Sequence, residues 1–164
     1  MPKIRTPLFV TVDAVVFTAR DNELKLLLIK RKEPPFEGTY ALPCGFVNEQ
    51  EELEDAVKRE LAEETNVKDI FLKQFGVYGA VKRDPRGRII TAAYIALINA
   101  DQQHLMPATD AAEARWFSIQ DLPKLAFDHA DIIADALKQL RYEIQTTNIA
   151  VQILPQKFTL SELQ

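Results

Sequence analysis

The 164-residue chain has a single cysteine, Cys44, and only two histidines, His104 and His129. One cysteine excludes an intrachain disulfide framework and a cysteine-built zinc site, and it suits a reducing cytoplasm, where Cys44 is expected to be a small buried residue. Neither histidine has the neighbours of a catalytic imidazole: His104 falls in a polar stretch and His129 follows Asp128, so both are read as structural or solvated. Long hydrophobic runs are also missing. The longest, residues 8–17, is well short of the roughly 18 residues of a bilayer span. It contains Thr11 and Asp13, has no small-residue cleavage site and is rich in β-branched residues, so it reads as a strand and not as a span or signal peptide. A soluble chain without a membrane partner is expected. Nor is there a basic arm: the net charge is −4 and the Lys and Arg residues are dispersed, which argues against nucleic-acid binding by this chain alone.

What is present is the material of one globular core. Apolar residues make up 47% and charged residues 27% of the chain, and no repeat or low-complexity tract divides it, so one domain is expected. Two apolar runs, 9–17 and 24–29, flank the turn pair Asp21-Asn22 and predict a hairpin. Pro34-Pro35 then breaks the ladder, and a loop is expected to about Tyr40. Helical spacing of Leu53, Ala56, Val57 and Leu61 predicts a helix over 51–65, with Asn48 upstream as its cap. Strands are predicted at 70–78 and 89–98, joined by the charged segment Lys82-Arg83-Asp84-Pro85-Arg86-Gly87-Arg88. A short strand at 114–117 and a helix at 130–142 follow, with Trp116, Phe117 and Tyr94 assigned to the core.

The first helix carries an anomaly. On a wheel of about 100° per residue, Glu60 and Glu64 fall within about 20° of Leu53, on the stripe that should be buried. Glu52, Glu54 and Asp55 lie on other faces and need only solvent. Burying two neighbouring carboxylates costs several kcal/mol unless a cation compensates them, and the helix C-terminus favours positive charge as well. Hard oxygen ligands without a His or Cys cluster select Mg²⁺, with Mn²⁺ as the substitute, and a metal of that kind points to a phosphate substrate. Arg59, four residues before Glu63 and eight after Glu51, is placed to hold these carboxylates in orientation.

Read as one unit, Gly45, Glu51, Arg59-Glu60-Leu61, Glu63-Glu64 and Thr65-Asn66-Val67 resemble the Nudix box, Gx5Ex7REUxEExGU with U aliphatic. Asn66 replaces the final Gly, and Asn is the next best residue at a left-handed helix end. Tyr40 and Cys44 depart from the Trp and Gly-Gly pattern common upstream of the box. The resemblance implies an α/β fold, the Nudix α/β/α sandwich with a mixed curved sheet, over residues 1–150. It implies hydrolysis of a nucleoside diphosphate linked to another group. Carried over by residue, it makes Glu60, Glu63 and Glu64 metal ligands with the Gly45 carbonyl, gives Glu63 and Glu64 catalytic roles supported by Arg59, and leaves Glu113, in the loop before Trp116, as a second candidate base.

The arginine-rich segment before the second of these strands resembles the branch that contains ADP-ribose pyrophosphatases and Nudix-related transcriptional regulators. Guanidinium groups bind diphosphate oxygens in a planar fork, and Arg83, Asp84 and Arg88 are assigned to substrate contact ahead of Arg86. Residues 151–164 resemble the passage of those regulators into a winged-helix domain. The branch therefore implies two readings, hydrolysis of ADP-ribose to AMP and ribose 5-phosphate or sensing of ADP-ribose, in a protein that is commonly a homodimer.

Overall fold

The computed structural model describes residues 7–106 and 111–147, so the tail at 151–164 lies outside the described residues. Strands β1 (Phe9–Arg20) and β2 (Glu23–Arg31) form the expected hairpin. Asp21 and Asn22 both take positive φ, 56° and 59°, the two-residue turn whose twist matches that of its strands. The hairpin then splays. Beyond the Phe17–Leu26 pair, β3 (Tyr40–Ala41) pairs with β2, and β4 (Cys44–Phe46) pairs with Thr11–Asp13 of β1. These two short strands are not evident as periodicity in the sequence, because the chain fills a gap that only the hairpin's twist creates.

Helix α1 (Leu53–Thr65) follows, then β5 (Lys73–Tyr78), β6 (Ile89–Leu97), a 3₁₀ turn at Ala100–Gln102, β7 (Ala111–Ser118) and α2 (His129–Thr146). The sheet runs β3-β2-β1-β6-β5, with β4 on β1 and β7 on β2. The β1–β6 pair is parallel and the other pairs are antiparallel, which makes the sheet mixed. Both central strands are near-continuous hydrophobic runs because both faces are covered. Val12, Ala14, Val16, Ala92, Tyr94 and Ala96 face α1, whereas Val15, Phe17, Ala93, Ile95 and Leu97 face α2. Burial of Val57 and Leu61 anchors α1 and contributes about 1.5–3 kcal/mol for each side chain.

Several boundaries differ from expectation. Asn48 is not the cap of α1: the N-cap is Glu52, without a side-chain cap bond, and Asn48 instead donates its backbone N–H and Nδ2 to Glu51 at 3.1 and 3.0 Å. Ile70 and Leu72 join the α1-side core ahead of β5. Glu113 lies within β7 and not in a loop, since β7 extends to Ala111 against β2. Asn66 ends α1 at φ 63°, in the left-handed position expected for it.

Candidate active site

The cleft that gathers the charged residues lies at the mouth of the splayed hairpin. It has a volume of about 350 Å³, and its walls include Glu60 and Glu64 from α1, Cys44 and Gly45 from β4, Asp13 from β1, Arg31 from β2, Arg83 and Arg86 from the loop, and Phe127 and His129 at the start of α2. Glu64 is buried and its Oε2 accepts the Cys44 backbone N–H at 2.8 Å. Glu60 lies directly against Gly45, where any Cβ would collide with its carboxylate, so a larger residue is admitted only by moving Glu60. Burial pushes the Glu60 carboxyl up, against the pull of Arg59, as expected of an anion placed where water is scarce.

Arg59 organises this wall. Its Nε and Nη2 form a fork on Glu51 at 2.7 and 2.9 Å, Nη1 reaches Glu60 at 2.7 Å and Glu63 at 3.4 Å, and Nη2 also donates to the Phe46 carbonyl at 3.0 Å. The fork, together with the Asn48 N–H, holds the Glu51 carboxyl down at about 2. One guanidinium thus ties the helix to the loop before it and restrains the carboxylates beside it. Glu63 is the outlying member: its side chain is 57% exposed and it does not line the cleft.

The arginines of the loop have three different environments. Arg83 is buried, with Nε and Nη2 bonded to Asp128 at 2.9 and 2.7 Å and Nη2 3.7 Å from Asp13. Arg88 donates to the backbone carbonyls of Gly79 and Ala80 and lies away from the cleft. Arg86 lines the cleft, bonded to Asp84 and lying over the Phe46 ring with its guanidinium carbon 4.9 Å from the centroid. Although burial pushes the Asp84 carboxyl up, its bonds to Arg86 hold it below the usual carboxylate range. Glu113 accepts from Tyr40 Oη and from Arg115 Nη1, both at 3.1 Å, and is not among the residues lining the cleft.

Sequence reasoning overlooked a buried group on the α2 side. Asp13, Cys44 and His129 present ligand-type atoms within 4.8 Å of one another. His129 Nδ1 accepts the Leu42 backbone N–H at 3.0 Å, which leaves Nε2 to carry the proton toward Asp13 Oδ1 at 3.3 Å. With both nitrogens engaged, the imidazole braces the β3–β4 segment and is not free to ligate a cation. Burial alone would push the Asp13 carboxyl up, yet His129 and Arg83 hold it below the carboxylate range. Burial, with Asp13 and Glu64 nearby, pushes the Cys44 thiol well up, so it stays protonated. An aspartate inside an apolar strand was the available signal.

The NUDIX domain model matches residues 7–136. The chain is 44% identical over 129 residues to an ADP-ribose pyrophosphatase of Methanocaldococcus jannaschii, an alignment covering 79% of this chain and 73% of that protein. It is 36% identical over 160 residues to the ADPR responsive transcriptional repressor NtrR of Acinetobacter baylyi, covering 94% of this chain but only 63% of the repressor. Among solved structures, the NUDIX domain of Shewanella oneidensis NrtR complexed with ADP ribose aligns with a TM-score of 0.78 at 37% identity, covering 85% of this chain and 93% of that one.

Proposed function

Because the chain belongs to the Nudix family, we propose that it is a pyrophosphohydrolase that cleaves ADP-ribose to AMP and ribose 5-phosphate. The observation that carries this reading is the pair Glu60 and Glu64, converging on one cleft whose other wall holds Arg31 and Arg86. An acidic wall suits a cation, a basic wall suits phosphate oxygens, and a diphosphate between them satisfies both.

The donors fit Mg²⁺, with Mn²⁺ as substitute. Glu60 and Glu64 offer carboxylate oxygens on the cleft, Gly45 lies against the Glu60 carboxylate and would add its carbonyl, and Glu63, outside the cleft lining, is tied to the same wall through Arg59. When bound, such an ion neutralises pyrophosphate charge and lowers the pKa of a water. The chain's own part is to orient: Arg59 holds Glu51, Glu60 and Glu63, and the Cys44 N–H holds Glu64. Glu63 is taken as the base ahead of Glu113, because Arg59 links it to Glu60 at the cleft wall whereas Glu113 lies on β7, bonded to Tyr40 and Arg115. Among the loop residues, Arg86 is taken as the substrate contact, held by Asp84; Arg83 lines the cleft paired with Asp128, and Arg88 supports the backbone.

A second reading is favoured by the 36% identity to a repressor across 94% of this chain: a domain that senses ADP-ribose without needing to cleave it. Incubation with ADP-ribose and Mg²⁺ separates the two. AMP formation that requires the metal supports the enzyme, whereas saturable binding with no AMP overturns it in favour of the sensor. A cytoplasmic homodimer is the proposed setting; light scattering at the mass of one chain would exclude the dimer.

A further inference from the structure

Two cations of the cleft come from distant parts of the chain, Arg31 at the end of β2 and Arg86 in the loop before β6, and one ring lies under both. The guanidinium carbons of Arg31 and Arg86 lie 4.9 and 5.3 Å from the centroid of Phe127. Phe127 holds φ at 51°, a left-handed backbone that is strained for a bulky side chain. Phe36, itself at φ 64°, meets it edge-on at 4.9 Å, and the His129 ring lies at 5.2 Å. Two aromatic residues thus occupy costly backbone conformations, and the result is a ring set into the wall of the cleft. Strain of this kind persists only where surrounding contacts over-determine it.

Arg31 also differs from Arg83 and Arg86. The forks of Arg83 and Arg86 are filled by Asp128 and Asp84, whereas Arg31 bonds to the carbonyls of Pro35 and Glu33 and has no carboxylate partner among the described residues. A ring face orients a guanidinium without neutralising it, so the charge of Arg31 remains available to an anion, and Arg86, tied to Asp84, is turned to the same ring. We propose that Phe127 is a positioning residue for a diphosphate-binding wall, holding Arg31 and Arg86 so that both engage one ligand. This deepens the ADP-ribose reading and rests on it only for what is attached to the diphosphate.

The test uses the full chain and inorganic pyrophosphate without divalent metal, with binding followed by ³¹P NMR titration. Phe127→Leu, which keeps apolar volume and removes the ring face, is expected to weaken pyrophosphate binding about five- to tenfold, and Phe127→Tyr to restore it. In an Arg31→Ala/Arg86→Ala background, Phe127→Leu should have no further effect, because the ring acts through those side chains. With ADP-ribose and Mg²⁺, the same Phe127→Leu variant should raise KM and leave kcat in place. Wild-type pyrophosphate affinity in Phe127→Leu overturns the proposal, and so does an equal loss in the background lacking both arginines. Thermal melting of Phe127→Leu and Phe127→Tyr checks that both are folded; should Phe127→Leu unfold, Phe127→Gly, which suits the backbone at φ 51°, replaces it under the same criteria. If the wild type releases no AMP, the hydrolysis reading fails while the pyrophosphate titration still decides this one.

Discussion

Helix α1 and the loop at 82–88 each concentrate like charges, and they manage the repulsion in opposite ways. On α1 the rigid 3.6-residue repeat sends Glu60 and Glu64 to one place, where Arg59 moderates Glu60 from the side and the Cys44 N–H holds Glu64. In the loop no repeat operates, and its arginines separate into a buried ion pair at Arg83, a cleft residue at Arg86 and a backbone brace at Arg88. Convergence gathers two carboxylates on one wall of the cleft; divergence leaves two arginines on the cleft, each tied to its own aspartate, and the third on the backbone. The difference teaches that a run of charge has a common role only when secondary structure gives it a common direction.

The largest expected effect tests convergence. Glu64→Gln is nearly isosteric and can still accept the Cys44 N–H, so the fold should stand while kcat falls roughly a hundred- to ten-thousandfold, the range for groups at a reacting centre. Wild-type turnover would remove Glu64 from the site. Gly45→Ala should act on the same wall, since its Cβ displaces the Glu60 carboxylate; a loss of kcat with little change in Tm is expected, and unaltered metal dependence would break the link between Gly45 and Glu60.

Divergence is tested by stability. Arg83→Ala leaves Asp128 and the buried Asp13 without their cation and should destabilise the protein by about 3–5 kcal/mol in denaturant unfolding. Arg86→Ala also unpairs the buried Asp84, but its own side chain is 36% exposed, so it should lower the unfolding midpoint by less and, in addition, raise KM. Equal effects of the two on stability would show that the loop arginines share one role after all.

The smallest effect concerns acid. Glu51 is depressed from 4.5 to about 2 in the folded state, so its pairing with Arg59 stabilises fully above the unfolded value and is lost as pH falls between the two. Glu51→Gln should flatten the acid limb of the stability profile in that window, and an unchanged limb would assign acid sensitivity elsewhere, to Asp13 or to Glu143, which Lys73 holds low.

The sequence sufficed for the hairpin and the acidic face of α1, because each follows from a local period or turn, two for strands, 3.6 for the helix, and a turn pair that tolerates positive φ, while the sandwich was implied by the resemblance of the motif at 45–67. It separated Glu60 and Glu64 from Glu52, Glu54 and Asp55 for the same reason. It took the tertiary fold to bring Arg83 and Arg86 but not Arg88 to the cleft, to put Glu113 on a strand bonded to Tyr40 and Arg115, and to seat Asp13, His129, Arg31 and Phe127 on the cleft wall. Those residues are brought together by the splay of one hairpin and the insertion of β3 and β4, a consequence of sheet twist acting over the whole molecule, and no repeat along the chain encodes it.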